Sequence, residues 1–270
     1  MLTALVTGGT SGIGAAFAAA LARDGYDLVL VARNEQRLAE TAERLRAEHG
    51  VAVETISADL ADRAAVETVV ERLESADRPI DLFVNNAGFG VHKSLLSKDT
   101  SVHELAIDVM IRAVLVLGGA AGRTMKARGA GTIINVASVA GYITMGSYSA
   151  VKAWVASYSE GLAVELRGTG VQVTGLNPGW VRTEFHERAS IGTSSIPSIL
   201  WVDMDQLIST ALRDARRGRV ISTPSAKFKT LLFFCRHLPR GAIRAISGRI
   251  SSARRSESSA VEHSSEQTRG

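Results

Sequence analysis

Residues Leu2 to Thr7, L-T-A-L-V-T, run directly into G-G-T-S-G-I-G and then into A-A-F-A-A-A-L-A-R. A short apolar run of β propensity, a glycine-rich turn and an alanine-rich helix make one strand–turn–helix unit, and few folds begin that way. The spacing T-G-x-x-x-G-x-G, carried by Thr7, Gly8, Gly12 and Gly14, allows a tight turn, a close approach of backbone to a pyrophosphate, and close packing of helix on strand. The helix N-terminus would face the phosphates with its partial positive charge. Alone, a glycine run is often only a turn. The flanking strand and helix are what point to a nucleotide.

The same alternation continues along the chain. Strand-like runs fall at Asp27 to Ala32, Val51 to Ser57, Ile80 to Val84, Thr132 to Ala137, Val171 to Leu176 and Gly218 to Thr223. Between them lie helical patterns: Glu35 to His49 with Leu38 and Leu45 inward, one ending near Leu73, one over about Ser101 to Lys126, and one beginning near Ser147. Strands that alternate with helices predict an α/β fold, a doubly wound and mostly parallel sheet with helices on both faces, Rossmann-like and single-domain. With 270 residues, 46% of them hydrophobic, the chain can bury a large core. The expected division is a dinucleotide-binding unit over 1–223, a basic amphipathic extension over 224–250, and a disordered tail over 251–270 that has almost no apolar content.

Cys235 is the sole cysteine, so no internal disulfide forms, and the start M-L-T-A-L-V-T-G-G lacks the features of a secretory signal. A reducing cytoplasm is the expected compartment. The net charge of +4 hides an asymmetry, because Arg and Lys crowd the segment from Arg213 to Arg255. No aromatic residues interleave the arginines of the tail, so no nucleic acid is implied. The longest apolar candidate, Leu231 to Cys235, is too short to span a bilayer, and no metal site is expected.

The chemistry is expected between Ser138 and Lys152, S-V-A-G-Y-I-T-M-G-S-Y-S-A-V-K. Tyr148 and Lys152 are spaced i, i+4 in a helical pattern with apolar residues at Ala150, Trp154, Val155, Tyr158, Leu162, Val164 and Leu166, so both would lie on one helix face. A free phenol ionises near pH 10 and shuttles protons poorly at neutrality. An ammonium about 4 Å away at an effective dielectric of ~20 contributes roughly 4 kcal/mol, enough to bring Tyr148 close to neutrality. Ser138, at the end of a strand, could hold a carbonyl or hydroxyl oxygen against that phenol. A bare Y-x-x-x-K is otherwise an ordinary surface pair.

Other polar residues cluster at strand ends. After Asp27 to Ala32 come Arg33 and Asn34 rather than a carboxylate; a basic residue there accommodates a 2′-phosphate, which favours NADP over NAD, unless Arg33 only caps a surface turn. Asp59 closes the third strand, either as a helix N-cap or at the ligand edge of the sheet. Asn85, Asn86, Ala87 and Gly88 follow the fourth strand, where buried amides must bond backbone or ligand. Pro178 and Gly179 force the chain out over the sheet edge after the sixth strand.

Taken together, these motifs resemble the short-chain dehydrogenase/reductase family, and they occur in family order from Thr7 to Thr183. The resemblance implies that Gly8, Thr10, Ser11, Gly12, Ile13 and Gly14 form the cofactor turn, with Ile13 reaching the pyrophosphate region through its backbone. It places Asp59 near the adenine and Asn86, Ala87 and Gly88 beside the cofactor. Ser138, Tyr148 and Lys152 match the catalytic Ser, Tyr and Lys; Tyr148 and Lys152 also meet the cofactor, the lysine at the nicotinamide ribose, while Pro178, Gly179 and Thr183 close over the nicotinamide. An NADP-dependent hydride transfer between nicotinamide and a carbonyl or secondary alcohol is implied, with a homodimer or homotetramer. Two departures stand out. Met110 occupies a position where the family usually has Asn, and a thioether cannot relay a proton. The loop from Ser138 to Tyr148 is short. A second reading, a nucleotide-binding regulatory or scaffold protein that has lost turnover, rests on Met110 alone.

Residues 183–206 hold Phe185, Ile191, Ile196, Ile199, Leu200 and Trp201 in an irregular stretch, which reads either as a lid over a hydrophobic acyl or steroid-like carbonyl substrate or as packing on the sheet. Residues 227–250 alternate basic and apolar side chains around Pro239 and Gly241. That segment suits an anionic membrane surface, a partner subunit, or the chain's own substrate cleft.

Overall fold

A computed structural model describes residues 2–91, 93–181, 201–239, 241–245 and 247–248. Seven parallel strands form the central sheet: β1 (Thr3–Thr7), β2 (Asp27–Ala32), β3 (Val53–Ser57), β4 (Leu82–Asn85), β5 (Gly131–Val136), β6 (Val171–Leu176) and β9 (Ile221–Ser222). Their order is β3-β2-β1-β4-β5-β6-β9, and a separate two-residue ladder joins β7 (Trp180–Val181) to β8 (Trp201–Val202). The strand sequences read as continuous apolar runs because parallel strands are covered on both faces.

Alternate residues of each strand feed two different cores. On one face Ala4, Val6, Leu28, Leu30, Val84 and Ile134 pack against α1 (Gly12–Arg23), α2 (Glu35–His49) and α7 (Met204–Arg216). On the other, Leu5, Val29, Val31, Phe83, Ile133 and Val173 meet α3 (Arg63–Glu74) and α5 (Ala113–Arg128). Every fully buried Leu, Val or Phe contributes about 1.5–3 kcal/mol relative to leaving it in water. Leu38 and Leu45 do face inward from α2.

Helix ends follow local chemistry. The Asn34 side chain accepts from the Arg37 amide at 2.8 Å to start α2, and Gly50 ends it with φ +69°. Asp62, not Asp59, caps α3, accepting from the Ala64 amide; Asp59 accepts instead from Ala61 N at 3.0 Å. The cap expected of Asp59 is therefore displaced by three residues, because D-L-A-D inserts a turn between strand and helix.

The helix expected over 101–126 runs as α4 (Ser101–Ile107), a π turn (Asp108–Arg112) and α5. Its 28 residues make it long and apolar enough to cross a bilayer by composition, contrary to the expectation that no segment is; here it packs against α3 and α6 (Gly146–Glu165) and is half buried. In α6 the helix forms as expected, but of the apolar positions that mark its period only Val155 and Leu166 are buried. Val151, Lys152, Val155, Ala156 and Ser159 are buried, whereas Ala150 and Val164 are exposed and Trp154 stacks on Tyr158 at 5.0 Å. Apolar residues lie almost all round this helix, so spacing alone did not select the core stripe.

After β9 the chain forms α8 (Ala226–His237). Helical structure resumes at 241–245, so Pro239 and Gly241 divide the segment as expected. Thr183, residues 183–200 of the expected substrate loop and the whole of 251–270 lie outside the described residues; 201–206 supply β8 and the Asp203 cap of α7.

Candidate active site

Parallel strands of order β3-β2-β1-β4 reverse their winding between β1 and β4, and a crevice opens there beyond the carboxyl ends. A cleft of about 590 Å³ occupies that place. Registered neighbours set its floor: Val6 beside Val84, Asn85 beside Asn135, and Val136 beside Leu176.

The turn after β1 is held by side-chain and backbone bonds that cross to β4. Thr7 Oγ1 accepts from the amides of Asn86 and Ala87 at 2.9 and 3.0 Å, and Asn86 Nδ2 donates to Thr7 O at 2.9 Å. Asn85 Nδ2 donates to Val114 O at 3.2 Å. These bonds explain the run of amides after a buried strand: they tie β4 to β1 and to α5. Gly8 and Gly12 adopt φ of +68° and +53°, which side chains rarely tolerate. At Gly14 an added Cβ would overlap the Gly8 carbonyl and lie 2.5 Å from Asn86 Nδ2. The residues therefore form a backbone-lined cradle at the N-terminus of α1, of the kind that a dinucleotide pyrophosphate fits.

Gly8, Thr10, Ser11, Gly12, Ile13, Arg33, Asp59, Asn86, Ala87, Gly88, Ser138, Tyr148, Lys152, Pro178 and Gly179 all line this one cleft. Gly14 does not line it but sits directly behind the turn. The spacing does not predict Arg37 as lining, and it offers the cleft as only one of three placements for the segment that holds α8. Arg37 lies four residues beyond Arg33, on the first turn of α2, and both guanidinium-bearing residues border the cleft. The available signal was a second arginine in the first turn of the helix that follows the strand end.

At the other end, β5 delivers Ser138, whose Oγ accepts from Ala140 N at 3.1 Å and which shares a hydrogen bond with Tyr148. The chain can fold back so closely because Gly141 packs on α6; a Cβ there would lie 2.8 Å from the Ala153 amide. Lys152 is buried, with Nζ 5.9 Å from the Tyr148 ring centre and donating to Val136 O at 2.8 Å. Met110, carried inward by the π turn, is fully buried between these parts: a Cβ on Gly88 would lie 2.9 Å from its sulfur and 3.7 Å from Lys152 Nζ. Met110 thus stands at the lysine, as the resemblance implies, and contributes packing there rather than a polar partner.

One electrostatic expectation is corrected. Burial pushes the Tyr148 phenol up to about 12, against the lowering influence of its bond with Ser138, and the ammonium does not bring it near neutrality. Burial also pulls Lys152 down to about 8. The lysine directs its proton to the Val136 carbonyl, and both groups are desolvated in the same enclosure, so each shifts toward its neutral form. At pH 7 the pair is a protonated phenol beside a cation.

Phe89, Val91, Ile143, Met145, Trp180 and Leu232 add an apolar lining to the same cleft. Leu231, Leu232 and Cys235 come from α8, so the basic segment does fold over the chain's own cleft, one of the three expected placements. Phe228 anchors it. Its ring fills the space where a Gly179 side chain would stand and lies 5.9 Å from Trp180, while Thr144 N donates to Ser247 Oγ at 3.2 Å. Burial pushes the Cys235 thiol up, so it meets the cleft protonated.

The chain is similar over residues 2–192 to the short-chain dehydrogenase family model. It belongs to the short-chain dehydrogenase family. This short-chain dehydrogenase is 36% identical over 208 residues to sulfoacetaldehyde reductase 2 of Chromohalobacter salexigens, covering 75% of this chain and 82% of that one. A short-chain dehydrogenase from Sphingobium yanoikuyae in complex with NADPH superposes with a TM-score of 0.79 at 36% identity, covering 86% of this chain and 92% of the other. The bulky-bulky ketone specific alcohol dehydrogenase of Comamonas testosteroni gives 0.76 at 31%, covering 87% and 92%. The family acts as NAD(P)-dependent oxidoreductases on alcohol and carbonyl groups, and so does this member.

Because Gly14 has no room for a side chain, Gly14→Ala is expected to displace the turn and weaken NADPH binding about tenfold or more, while the far-UV circular dichroism spectrum is retained. Fluorescence titration with NADPH checks this. Unchanged affinity would remove the turn from the cofactor site.

Proposed function

We propose that this enzyme reduces a hydrophobic ketone with NADPH, using Ser138, Tyr148 and Lys152. The observation that carries the reading is the single cleft joining the glycine cradle to an apolar lining and a protonated phenol. A bound reduced nicotinamide supplies the hydride for the carbonyl carbon. Ser138 Oγ positions the substrate oxygen, and Tyr148 gives that oxygen its phenolic proton, completing the alcohol. Lys152 holds a positive charge close by and stabilises the phenolate left behind, which regains a proton from solvent. Gly8, Thr10, Ser11, Gly12, Ile13 and Gly14 cradle the pyrophosphate, Asp59 lies toward the adenine, and Asn86, Ala87, Gly88, Pro178 and Gly179 border the nicotinamide half, a role the family resemblance also assigns to Thr183.

In the direction of reduction Tyr148 acts as the acid, and burial keeps the phenol in that protonated form at pH 7. At the adenosine end, Arg33 and Arg37 border the cleft where β2 ends in Ala32 rather than a carboxylate, which suits a 2′-phosphate. The apolar lining, to which α8 adds Leu231 and Leu232, supports a substrate larger than the aldehyde named for the Chromohalobacter relative, in keeping with the ketone-specific Comamonas neighbour.

Three expected outcomes test the reading. Tyr148→Phe lowers kcat about 10²–10⁴-fold, with NADPH affinity unchanged within a few-fold. Reductive kcat/KM stays level at neutral pH and falls as pH rises through about 8, where Lys152 loses its charge; a profile level to pH 10 would contradict the role given to the lysine. The double variant Arg33→Ala/Arg37→Ala weakens NADPH about tenfold or more and leaves NADH unaffected, measured by parallel titrations. A substrate screen that finds turnover of small hydrophilic aldehydes and none of bulky ketones would overturn the substrate class.

A further inference from the structure

The outer side of α8 combines exposed apolar residues with cations. From Ala226 to Gly248 the sequence holds Lys227, Lys229, Arg236, Arg240 and Arg244 and no Asp or Glu. Within that stretch α8 turns Phe228 and Leu232 inward, while Leu231, Phe233, Phe234 and Leu238 are 44%, 57%, 54% and 38% exposed. Leu231, Phe234 and Leu238 follow at i, i+3 and i+7 and so share one strip of the helix. Phe233 meets Phe234 edge-on at 5.8 Å beside it. Exposed Lys227 and Lys229 lie on the first turn and exposed Arg244 follows the Pro239 break. Leu231 belongs to both surfaces, lining the cleft and standing in the exposed strip, so the apolar ridge adjoins the mouth of the site.

We propose that α8 and residues 241–245 after it dock on an anionic lipid bilayer. The two phenyl rings and Leu238 enter the interface, and the basic side chains meet the headgroups. This goes beyond the proposed reduction and does not depend on it. The strip is short and interrupted at Pro239, so the attachment is shallow and reversible and needs both contributions, apolar insertion and negative headgroups. A second copy of the chain fits the ridge poorly, because a two-fold contact would set one acid-free basic segment against another. An anionic surface has the complementary charge and accepts the aromatic side chains.

The test is co-sedimentation of the full chain with vesicles of phosphatidylcholine alone and of phosphatidylcholine with about one-third phosphatidylglycerol. Partitioning onto the anionic vesicles is expected to exceed that onto neutral ones by about tenfold or more, since each basic residue near such a surface contributes about fivefold. Phe233→Asp/Phe234→Asp, which leaves the cleft lining intact, reduces it about tenfold or more while NADPH affinity and sedimentation coefficient stay unchanged. Lys229→Glu/Arg244→Glu reduces binding to anionic vesicles alone. The proposal is overturned if the parent chain ignores anionic vesicles. It is overturned equally if the Phe pair is dispensable while the charge variant loses binding, which would describe a general polyanion patch such as a nucleic-acid surface. Conversion of a larger assembly to a smaller one by the Phe variant, seen in sedimentation velocity, would assign the ridge to contacts between copies instead.

Discussion

The reversal of strand order between β1 and β4 is the constraint on which the site depends. Crossovers leave the sheet to opposite faces there, so nothing covers the carboxyl ends of the two central strands. Thr7 is locked to Asn86 and Ala87 by three hydrogen bonds of 2.9 to 3.0 Å. Only with that lock in place can Gly8 and Gly14 pass so close to Asn86, and only glycine can occupy those positions. The same register brings Val136 and Ser138 alongside, and the Ser–Tyr–Lys cluster is positioned by the strand next to β4.

Enclosure shapes the proposed chemistry more than pairing does. Desolvation penalises the phenolate and the ammonium together, raising one and lowering the other. A surface pair at the same spacing would show neither shift and would have little catalytic value. Met110 adds to the dryness where an amide would have supplied a polar group, so the lysine's visible partner is the carbonyl of Val136. Gly141 and Gly179 matter for a related reason. Each admits a neighbour at a distance no side chain allows, one drawing the Ser138 loop onto α6 and the other seating Phe228 of α8.

The sheet and its crossovers were legible because apolar runs of five or six residues bounded by turn chemistry leave little choice in an alternating chain. β2 and β6 have the expected ends, and the ends of the other strands shift by up to three residues, as at β9, where only Ile221–Ser222 pair. The cleft residues up to Gly179 were also legible, since glycines, amides and a Y-x-x-x-K lie at the ends of those strands. What the chain could not disclose lay in three dimensions. The buried stripe of α6 was hidden by apolar residues on all its sides, and Asp59 and Asp62 compete for one cap within four residues. The shift of Tyr148 depends on enclosure that no spacing reports. The placement of α8 over the cleft could have been suspected from Phe228, Leu232 and Cys235 at i, i+4 and i+7, a stripe that needs something to pack on.

A crystal structure of the full chain with NADPH and a bulky ketone tests the central claim most directly. The account predicts the pyrophosphate against Gly8 to Gly14, the 2′-phosphate beside Arg33 and Arg37, and the ketone oxygen within hydrogen-bond reach of both Ser138 Oγ and the Tyr148 hydroxyl. A dinucleotide bound elsewhere, or a ketone oxygen remote from Tyr148, would contradict it.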